Sequence, residues 1–181
     1  MFRKATEDDV ERITEIYNEI HTENEAGRMT TGWIRGVYPA RETAKSAIRC
    51  GDMFVEEEDG RVVACARIDQ EQVEAYTEAD WQYDVPDTQV MVLHTLAVSP
   101  KENGKGYGSR FVAYYEAYAL EHGCCYLRMD TNLHNSGARA LYQKLGYREV
   151  SIVPCAFNGI PDVQLVCLEK KLQEPEGSGR K

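Results

Sequence analysis

The alternation of apolar and polar residues predicts a strand followed by a helix in the middle of the chain. Residues 90–98 form a run rich in β-branched and other apolar side chains, without glycine or proline, and Ser99-Pro100 ends it. A run this apolar favours a central place in a sheet over an exposed edge. Side chains recurring at three- and four-residue spacing then predict a helix that Gly123 ends, and they are Phe111, Val112, Tyr115, Ala119 and His122.

Similar patterns predict the elements that precede this unit. Thr6 and the acidic residues after it are typical of a helix start, and Asp59-Gly60 is typical of a hairpin turn. Glycines and a proline interrupt the helical pattern over residues 27–40. The predicted elements are a strand at residues 2–6, a helix carrying Val10, Ile13, Ile16, Tyr17 and Ile20, a helix near residues 42–50, and a hairpin over residues 53–69.

The C-terminal part of the chain continues the alternation of strands and helices. Residues 70–89 are a polar segment without a clear period, and residues 174–181 form a charged, glycine-containing tail that we expect to be disordered. The remaining predictions are a strand at 124–131, a helix at 136–145 with Ala138, Leu141 and Leu145 facing the core, and strands at 147–153 and 162–171 joined by a loop at 157–161.

A glycine-rich loop, Asn103-Gly104-Lys105-Gly106-Tyr107-Gly108, joins the central strand to its helix. Glycines at alternate positions let a backbone approach a ligand closely, and the helix adds its positive N-terminal end, so the loop predicts a phosphate cradle. A dinucleotide-binding fingerprint would need glycine at Ser109, and a P-loop would need Gly-Lys-Ser/Thr, so both are excluded. The alternative is a glycine-rich turn that only connects the two elements.

A second block, residues 132–147 with the sequence NLHNSGARALYQKLGY, follows the next strand. The order of strand, Asn-x-x-Gly-x-Gly loop, helix, strand and this block resembles the GNAT superfamily of N-acetyltransferases over about residues 2 to 171. The resemblance implies the acyl-CoA N-acyltransferase fold, an α+β, three-layer α/β sandwich in which helices flank a mixed central sheet of about seven strands. It also implies acetyl-CoA as the co-substrate, without a metal.

In this superfamily the loop binds the pyrophosphate of acetyl-CoA, usually with Arg or Gln where this chain has Asn103. Asparagine is shorter and neutral, so its own contact is in doubt while the backbone cradle remains. The resemblance implies that strand residues 96–98 offer backbone N–H groups, one of them to the thioester carbonyl. The cofactor-binding residues it implies are Leu96, Ala97, Val98, Asn103, Gly104, Lys105, Gly106, Tyr107, Gly108, Ser109, Asn135 and Tyr142.

Two residues are candidates for proton transfer. Tyr142 stands where the superfamily usually has the tyrosine that protonates the coenzyme A thiolate, and its place about 100° around the helix from Leu141 indicates exposure to the cleft. His94 lies on a strand similar to that of the arylalkylamine acetyltransferases, in which a histidine acts as base through water. An unperturbed histidine pKa of about 6.5 suits that role. The structural alternatives are a tyrosine at the rim of the core, a hydrogen-bonded core histidine, and Asn135 as a helix N-cap.

Aromatic residues in two loops and in the predicted 157–161 loop could line a pocket for the acceptor, or they could fasten the loops to the body. They are Trp33, Tyr38, Trp81, Tyr83 and Phe157.

Composition restricts the remaining possibilities. A chain of 181 residues predicts one domain over residues 1–173. The net charge of −9 argues against nucleic-acid binding and is compatible with a cationic substrate, although a solvated acidic surface is the simpler and preferred explanation. The six cysteines lack metal-ligand spacing. No apolar segment indicates a signal peptide or a membrane span, so we expect a cytoplasmic protein.

The sequence therefore predicts an N-acetyltransferase that transfers the acetyl group of acetyl-CoA to a primary amine of a small molecule by direct attack in a ternary complex. Two alternatives remain open at this point. The acceptor could be a protein N-terminus or lysine, or the protein could be a coenzyme A-binding sensor without turnover. The oligomeric state, including a homodimer, is also open.

Overall fold

The computed structural model describes residues 1–173, and the tail predicted at 174–181 lies outside the described residues. Seven strands form one mixed sheet and four helices flank it, as the predicted fold class requires. The strands are β1 Phe2–Lys4, β2 Met53–Glu58, β3 Arg61–Asp69, β4 Val90–Val98, β5 Tyr126–Asn132, β6 Arg148–Phe157 and β7 Ile160–Lys171. The helices are α1 Val10–Glu25, α2 Arg41–Cys50, α3 Tyr107–Glu121 and α4 Ser136–Lys144.

The central strand of the sheet is β4, as its apolar sequence predicts. The strand order is β1-β2-β3-β4-β5-β7-β6, and all neighbours are antiparallel except β4 and β5. The parallel pairing runs from Val90 opposite Tyr126 to Leu93 opposite Met129 and ends there. Beyond Leu93 the two strands therefore separate, which opens the sheet at its centre.

A β-bulge lies where the separation begins. Cys65 pairs with Ala97 but Arg67 pairs with His94, so β4 has one residue more than β3 across this interval. Thr95 has a φ of 55°, which is uncommon for a β-branched residue. A bulge bends its strand and redirects the side chains after it. Leu96 and Val98 accordingly pack with the core on the α3 side, while Ala97 packs on the α1 side.

The core has three parts, arranged as two layers around the sheet. On one face, α3 and α4 cover a cluster that includes Phe111, Tyr115 and Leu127. On the other face, α1 and α2 cover the β2–β4 half, and residues 73–85 with the ends of β6 and β7 cover the rest. These contacts explain the spacing of apolar residues in the helices. In α1 the periodic residues are all buried, and they are Ile13, Ile16, Tyr17 and Ile20.

Several predicted details are wrong. The expected loop at 157–161 is a two-residue turn, because Asn158 and Gly159 both adopt positive φ, as a tight hairpin requires. The strand predicted from 124 begins at Tyr126. His122 is exposed at the end of α3 and does not belong to its buried stripe. On α4, Tyr142 is 6% exposed while Leu141 and Leu145 are only partly buried, so the predicted order of burial is reversed.

No helix within residues 1–173 has the length and apolar character to cross a membrane.

Candidate active site

Two adjoining cavities lie where β4 and β5 separate. The glycine-loop cavity, of about 600 Å³, is lined by the loop between β4 and α3. The His94 cavity, of about 480 Å³, is lined by β3, β4, β5 and the β6–β7 turn. Six residues line both cavities, and they are Thr31, Trp33, Leu96, Asn135, Ala138 and Tyr142. A molecule bound in one cavity therefore meets a molecule bound in the other beside Leu96 and Tyr142.

The glycine-loop cavity has the features of a phosphate site. Gly104 and Gly106 both have a φ of 80°, and a Cβ on either would meet nothing within 4 Å. Gly106 is the N-cap of the 15-residue helix α3, and no side chain caps it. The first N–H groups of α3 are thus available to an anion, and the helix dipole favours negative charge there. This loop fits a diphosphate such as that of acetyl-CoA.

The loop residues predicted to bind the cofactor divide into two groups. Those that line the glycine-loop cavity are Val98, Asn103, Gly104, Gly106, Tyr107, Gly108 and Ser109. Lys105 pairs instead with Glu102, with 2.6 Å between Lys105 Nζ and the carboxylate. Ala97 is fully buried against α1 and α2, so only its backbone is available for the predicted role.

Tyr142 and Asn135 project from α4 and its N-terminus to the junction of the cavities. Burial, with a smaller contribution from Asp130, raises the pKa of Tyr142, which keeps its hydroxyl protonated at neutral pH. Asn135 accepts a hydrogen bond from the Ala138 N–H at 3.3 Å and donates one to Thr131 Oγ1 at 3.1 Å. It is therefore a helix N-cap that also lines both cavities.

His94 is 8% exposed and forms a hydrogen bond through Nε2 to Asp69 Oδ1 at 3.0 Å. Burial raises the pKa of Asp69, but the hydrogen bond and charge of His94, together with Arg67, outweigh it and lower the pKa overall. An ionised Asp69 accepts the hydrogen bond, so Nε2 carries the proton and Nδ1 is the nitrogen that can accept another. This pair is the arrangement of a general base and the carboxylate that orients it.

Three further charged groups line the His94 cavity, and they are Arg67, Glu71 and Asp130. Arg67, on β3, pairs with both Asp69 and Glu71. Asp130, on β5, accepts a hydrogen bond from the Tyr76 hydroxyl at 2.6 Å. Burial raises the pKa of Asp130, although Tyr76 and His94 act in the opposite direction.

The loop between α1 and α2 forms a roof over the His94 cavity. Tyr38 hydrogen-bonds through its hydroxyl to Thr95 Oγ1 on the bulge. Gly32 lies against β5, since a Cβ on it would come within 2.9 Å of Asn132 Cγ. At the far side, a Cβ on Gly159 would come within 3.3 Å of Val37 Cγ1, so the β6–β7 turn meets the same loop. These contacts hold the loop over the cavity.

The aromatic residues predicted for an acceptor pocket are not all together. Trp33, Tyr38 and Phe157 line the His94 cavity. Trp81 and Tyr83 have other partners: Trp81 packs on Tyr76 and under the Arg128 guanidinium, and Tyr83 packs on Tyr126. Their contacts fit the alternative interpretation, in which these two residues fasten residues 70–89 to the body.

The sequence of this chain matches one family of known proteins. Residues 10–147 match the model of the acetyltransferase (GNAT) family. The chain belongs to the GNAT family. This finding confirms the resemblance, and with it the acetyltransferase assignment, that the two motifs indicate. No group of three or more His, Cys, Asp or Glu side chains suited to a metal ion occurs among residues 1–173.

Individual proteins are similar to this chain, one in part of its sequence and others in fold. An uncharacterized N-acetyltransferase of Bacillus subtilis (strain 168), YhfO, is 37% identical over 60 residues, which are 33% of this chain and 40% of that relative. A GNAT acetyltransferase of Streptococcus agalactiae 2603 superposes with a TM-score of 0.81 at 22% identity, covering 97% of this chain and 96% of its own. A Salmonella typhimurium protein described as an acetyltransferase, solved with its cofactor acetyl-CoA, gives 0.68 at 18% identity, covering 100% and 98%.

Sequence reasoning missed Asp69 and Asp130 as members of this GNAT site. Asp130 had a signal, because a carboxylate near the end of a predicted buried strand requires a partner or a function. Asp69 ends a strand of the predicted hairpin, where an acidic residue is unremarkable. Its contact with His94 depends on the register of β3 against β4, which the bulge shifts by one residue.

Proposed function

We propose that this protein transfers the acetyl group of acetyl-CoA to the primary amine of a small molecule, by direct attack while both are bound. The single observation that carries the proposal is the junction of two cavities at Tyr142, one with a phosphate cradle and the other with a histidine base. Acetyl-CoA, when bound, supplies an activated acetyl thioester. The glycine loop and the start of α3 hold its diphosphate through backbone N–H groups.

Residues of the chain then transfer two protons and stabilise one developing negative charge. His94 accepts a proton from the acceptor amine at Nδ1, and Asp69 stabilises the imidazolium through Nε2. Backbone N–H groups of β4 beyond Leu93, where its pairing with β5 has ended, stabilise the negative charge that develops on the acetyl oxygen. Tyr142, whose raised pKa keeps its hydroxyl protonated, donates that proton to the departing sulfur.

The form of the His94 cavity favours a small acceptor. The roof loop is tied to β4 by the hydrogen bond between Tyr38 and Thr95 and meets the β6–β7 turn, so these segments lie over the cavity of about 480 Å³. A protein N-terminus or lysine would need an open groove across this position. The volume suits a ligand of modest size.

The first experiment follows acetyl-CoA consumption, as released thiol, across amines, polyamines, amino acids and peptides. We expect turnover with at least one small amine and a loss of about 100-fold or more in Tyr142→Phe. Tyr114→Phe is the matched control, because Tyr114 packs by its ring on Phe2 and lies away from both cavities. Turnover of peptides alone, or a Tyr142→Phe enzyme of full activity, would contradict the proposal.

A further inference from the structure

Asp130 occupies a position that the proposed proton transfers do not use. Leu93 and Met129 are the last paired residues of β4 and β5, so His94 and Asp130 are the next residues on adjacent parallel strands. Both line the same cavity, at the point where the strands begin to separate. The carboxylate of Asp130 therefore lies beside the imidazole that is to receive the acceptor's proton.

The charge of Asp130 is not balanced by a cationic side chain. Within residues 1–173 it accepts a hydrogen bond at Oδ2 from the neutral hydroxyl of Tyr76, and none of the ion pairs includes it. The cavity's arginine is already engaged, because Arg67 pairs with both Asp69 and Glu71. An anion entering the cavity would thus find no free cation there, whereas a cation would find a free carboxylate.

The walls around this carboxylate are aromatic. Trp33, Tyr38, Tyr142 and Phe157 line the cavity together with Asp130. Aromatic faces attract ammonium groups through their quadrupoles, and they also accept an apolar body. A carboxylate set among aromatic rings is the chemistry of a site for an organic ammonium ion.

We propose that Asp130 binds the acceptor's ammonium group and restricts the acceptor to cationic amines with an apolar body and no carboxylate beside the amine. This inference rests on the proposed function of the His94 cavity as the acceptor site. Asp130 holds the nitrogen beside His94, which removes one proton and leaves a neutral amine with a free electron pair. The nitrogen loses its second proton as the C–N bond forms and the C–S bond breaks, and that proton replaces the one that Tyr142 gives to the sulfur. An α-carboxylate would be repelled by Asp130, and Arg67, the arginine that lines the cavity, is already paired with Asp69 and Glu71.

Binding can be measured without turnover. The chain has two tryptophans, so Trp81→Phe leaves Trp33, which lines the cavity, as the single tryptophan, and its emission can be excited selectively. In this background, three compounds with the same phenyl body are titrated: 2-phenylethylamine, phenylalanine and 3-phenylpropionate. They differ only in whether the compound is a cation, a zwitterion or an anion.

We expect the amine to bind tightest and the propionate weakest. Asp130→Asn should weaken the amine by about tenfold and remove its advantage over phenylalanine. Two controls separate charge from folding. Tyr76→Phe removes the hydrogen bond but keeps the carboxylate, so the order of affinities should persist. Glu74→Gln removes an exposed charge in the neighbouring segment and should change nothing.

The results distinguish this inference from the proposed function. Equal affinities in the parent protein, no binding of the amine, or an unchanged amine preference in Asp130→Asn would each overturn the role of Asp130. Acetyl-CoA turnover is assayed separately with the same compounds. A preserved charge preference without turnover of any amine would count against the transferase proposal alone, and turnover with an unaltered preference in Asp130→Asn would count against the inference alone.

Discussion

At His94, one hydrogen bond decides which ring nitrogen can act as a base. Asp69 Oδ1 accepts the hydrogen bond of Nε2–H at 3.0 Å, which leaves Nδ1 as the nitrogen that can accept a proton. The sequence indicates His94 and Tyr142 because each lies in a motif. It does not indicate Asp69, because the partner of a strand residue depends on register, and no local pattern predicts a bulge.

Replacing Asp69 tests this orientation. We expect Asp69→Asn to lower kcat by roughly 10- to 100-fold, since a neutral amide stabilises the imidazolium less and no longer fixes the tautomer. Steady-state rates across pH 5.5–9 measure the effect. Asp52→Asn is the matched control, because Asp52 lies near Asp69 and outside both cavities. A variant with the parent's rate at every pH would show that the pair is only structural.

At the scale of elements, the site depends on where strands stop pairing and on a loop that lies over them. The strands and helices themselves follow from periodicity, and the turn at Asn158-Gly159 was available from the Asn-Gly signal. The roof loop was not predictable, because residues 27–40 have no period. Its position is set by single contacts, such as Gly32 against Asn132 and Tyr38 with Thr95.

Two glycines of the roof loop provide a matched comparison. Gly32 and Gly36 both have positive φ, at 76° and 78°, so alanine strains the backbone at either position. Only at Gly32 would the new methyl group collide with Asn132, while at Gly36 it meets nothing within 4 Å. We therefore expect Gly32→Ala to have the lower thermal unfolding midpoint and to raise the KM for the acceptor. Identical behaviour of the two variants would show that the contact with β5 does not hold the roof.

At the scale of the whole molecule, ion pairs as well as strand pairing fix the N-terminal segment to the sheet. Arg3 on β1 contacts Asp9 at 2.7 Å and Glu57 on β2 at 2.8 Å, and Asp9 also accepts a hydrogen bond from the Thr6 N–H. The Arg3 hydrogen bond lowers the pKa of Asp9, although burial opposes it. The sequence predicts the helix start at Thr6 but not this link to the second strand, which needs a partner about fifty residues away.

The lowered pKa of Asp9 makes acid stability testable. A folded pKa below the unfolded value stabilises the native state above the unfolded pKa of about 3.9, and this contribution disappears as the pH falls through the folded value. Asp9→Asn should thus reduce the free energy of unfolding by about 2 kcal/mol at pH 7. The difference from the parent should shrink below pH 4. Urea unfolding from pH 2.5 to 7 checks this, and a constant difference would exclude the charge as its source.

The bulge at Thr95 determines what the deletion of one residue from β4 would do. Because β4 has one residue more than β3 there, removing Thr95 would leave Leu96, Ala97 and Val98 on their present sides of the sheet. Such a shortened chain would have a regular ladder in which β4 could go on pairing with β5, and the gap that holds both cavities would close. A one-residue deletion here would therefore yield a well-folded protein without a site, whereas substitution by asparagine, which tolerates positive φ, would keep it.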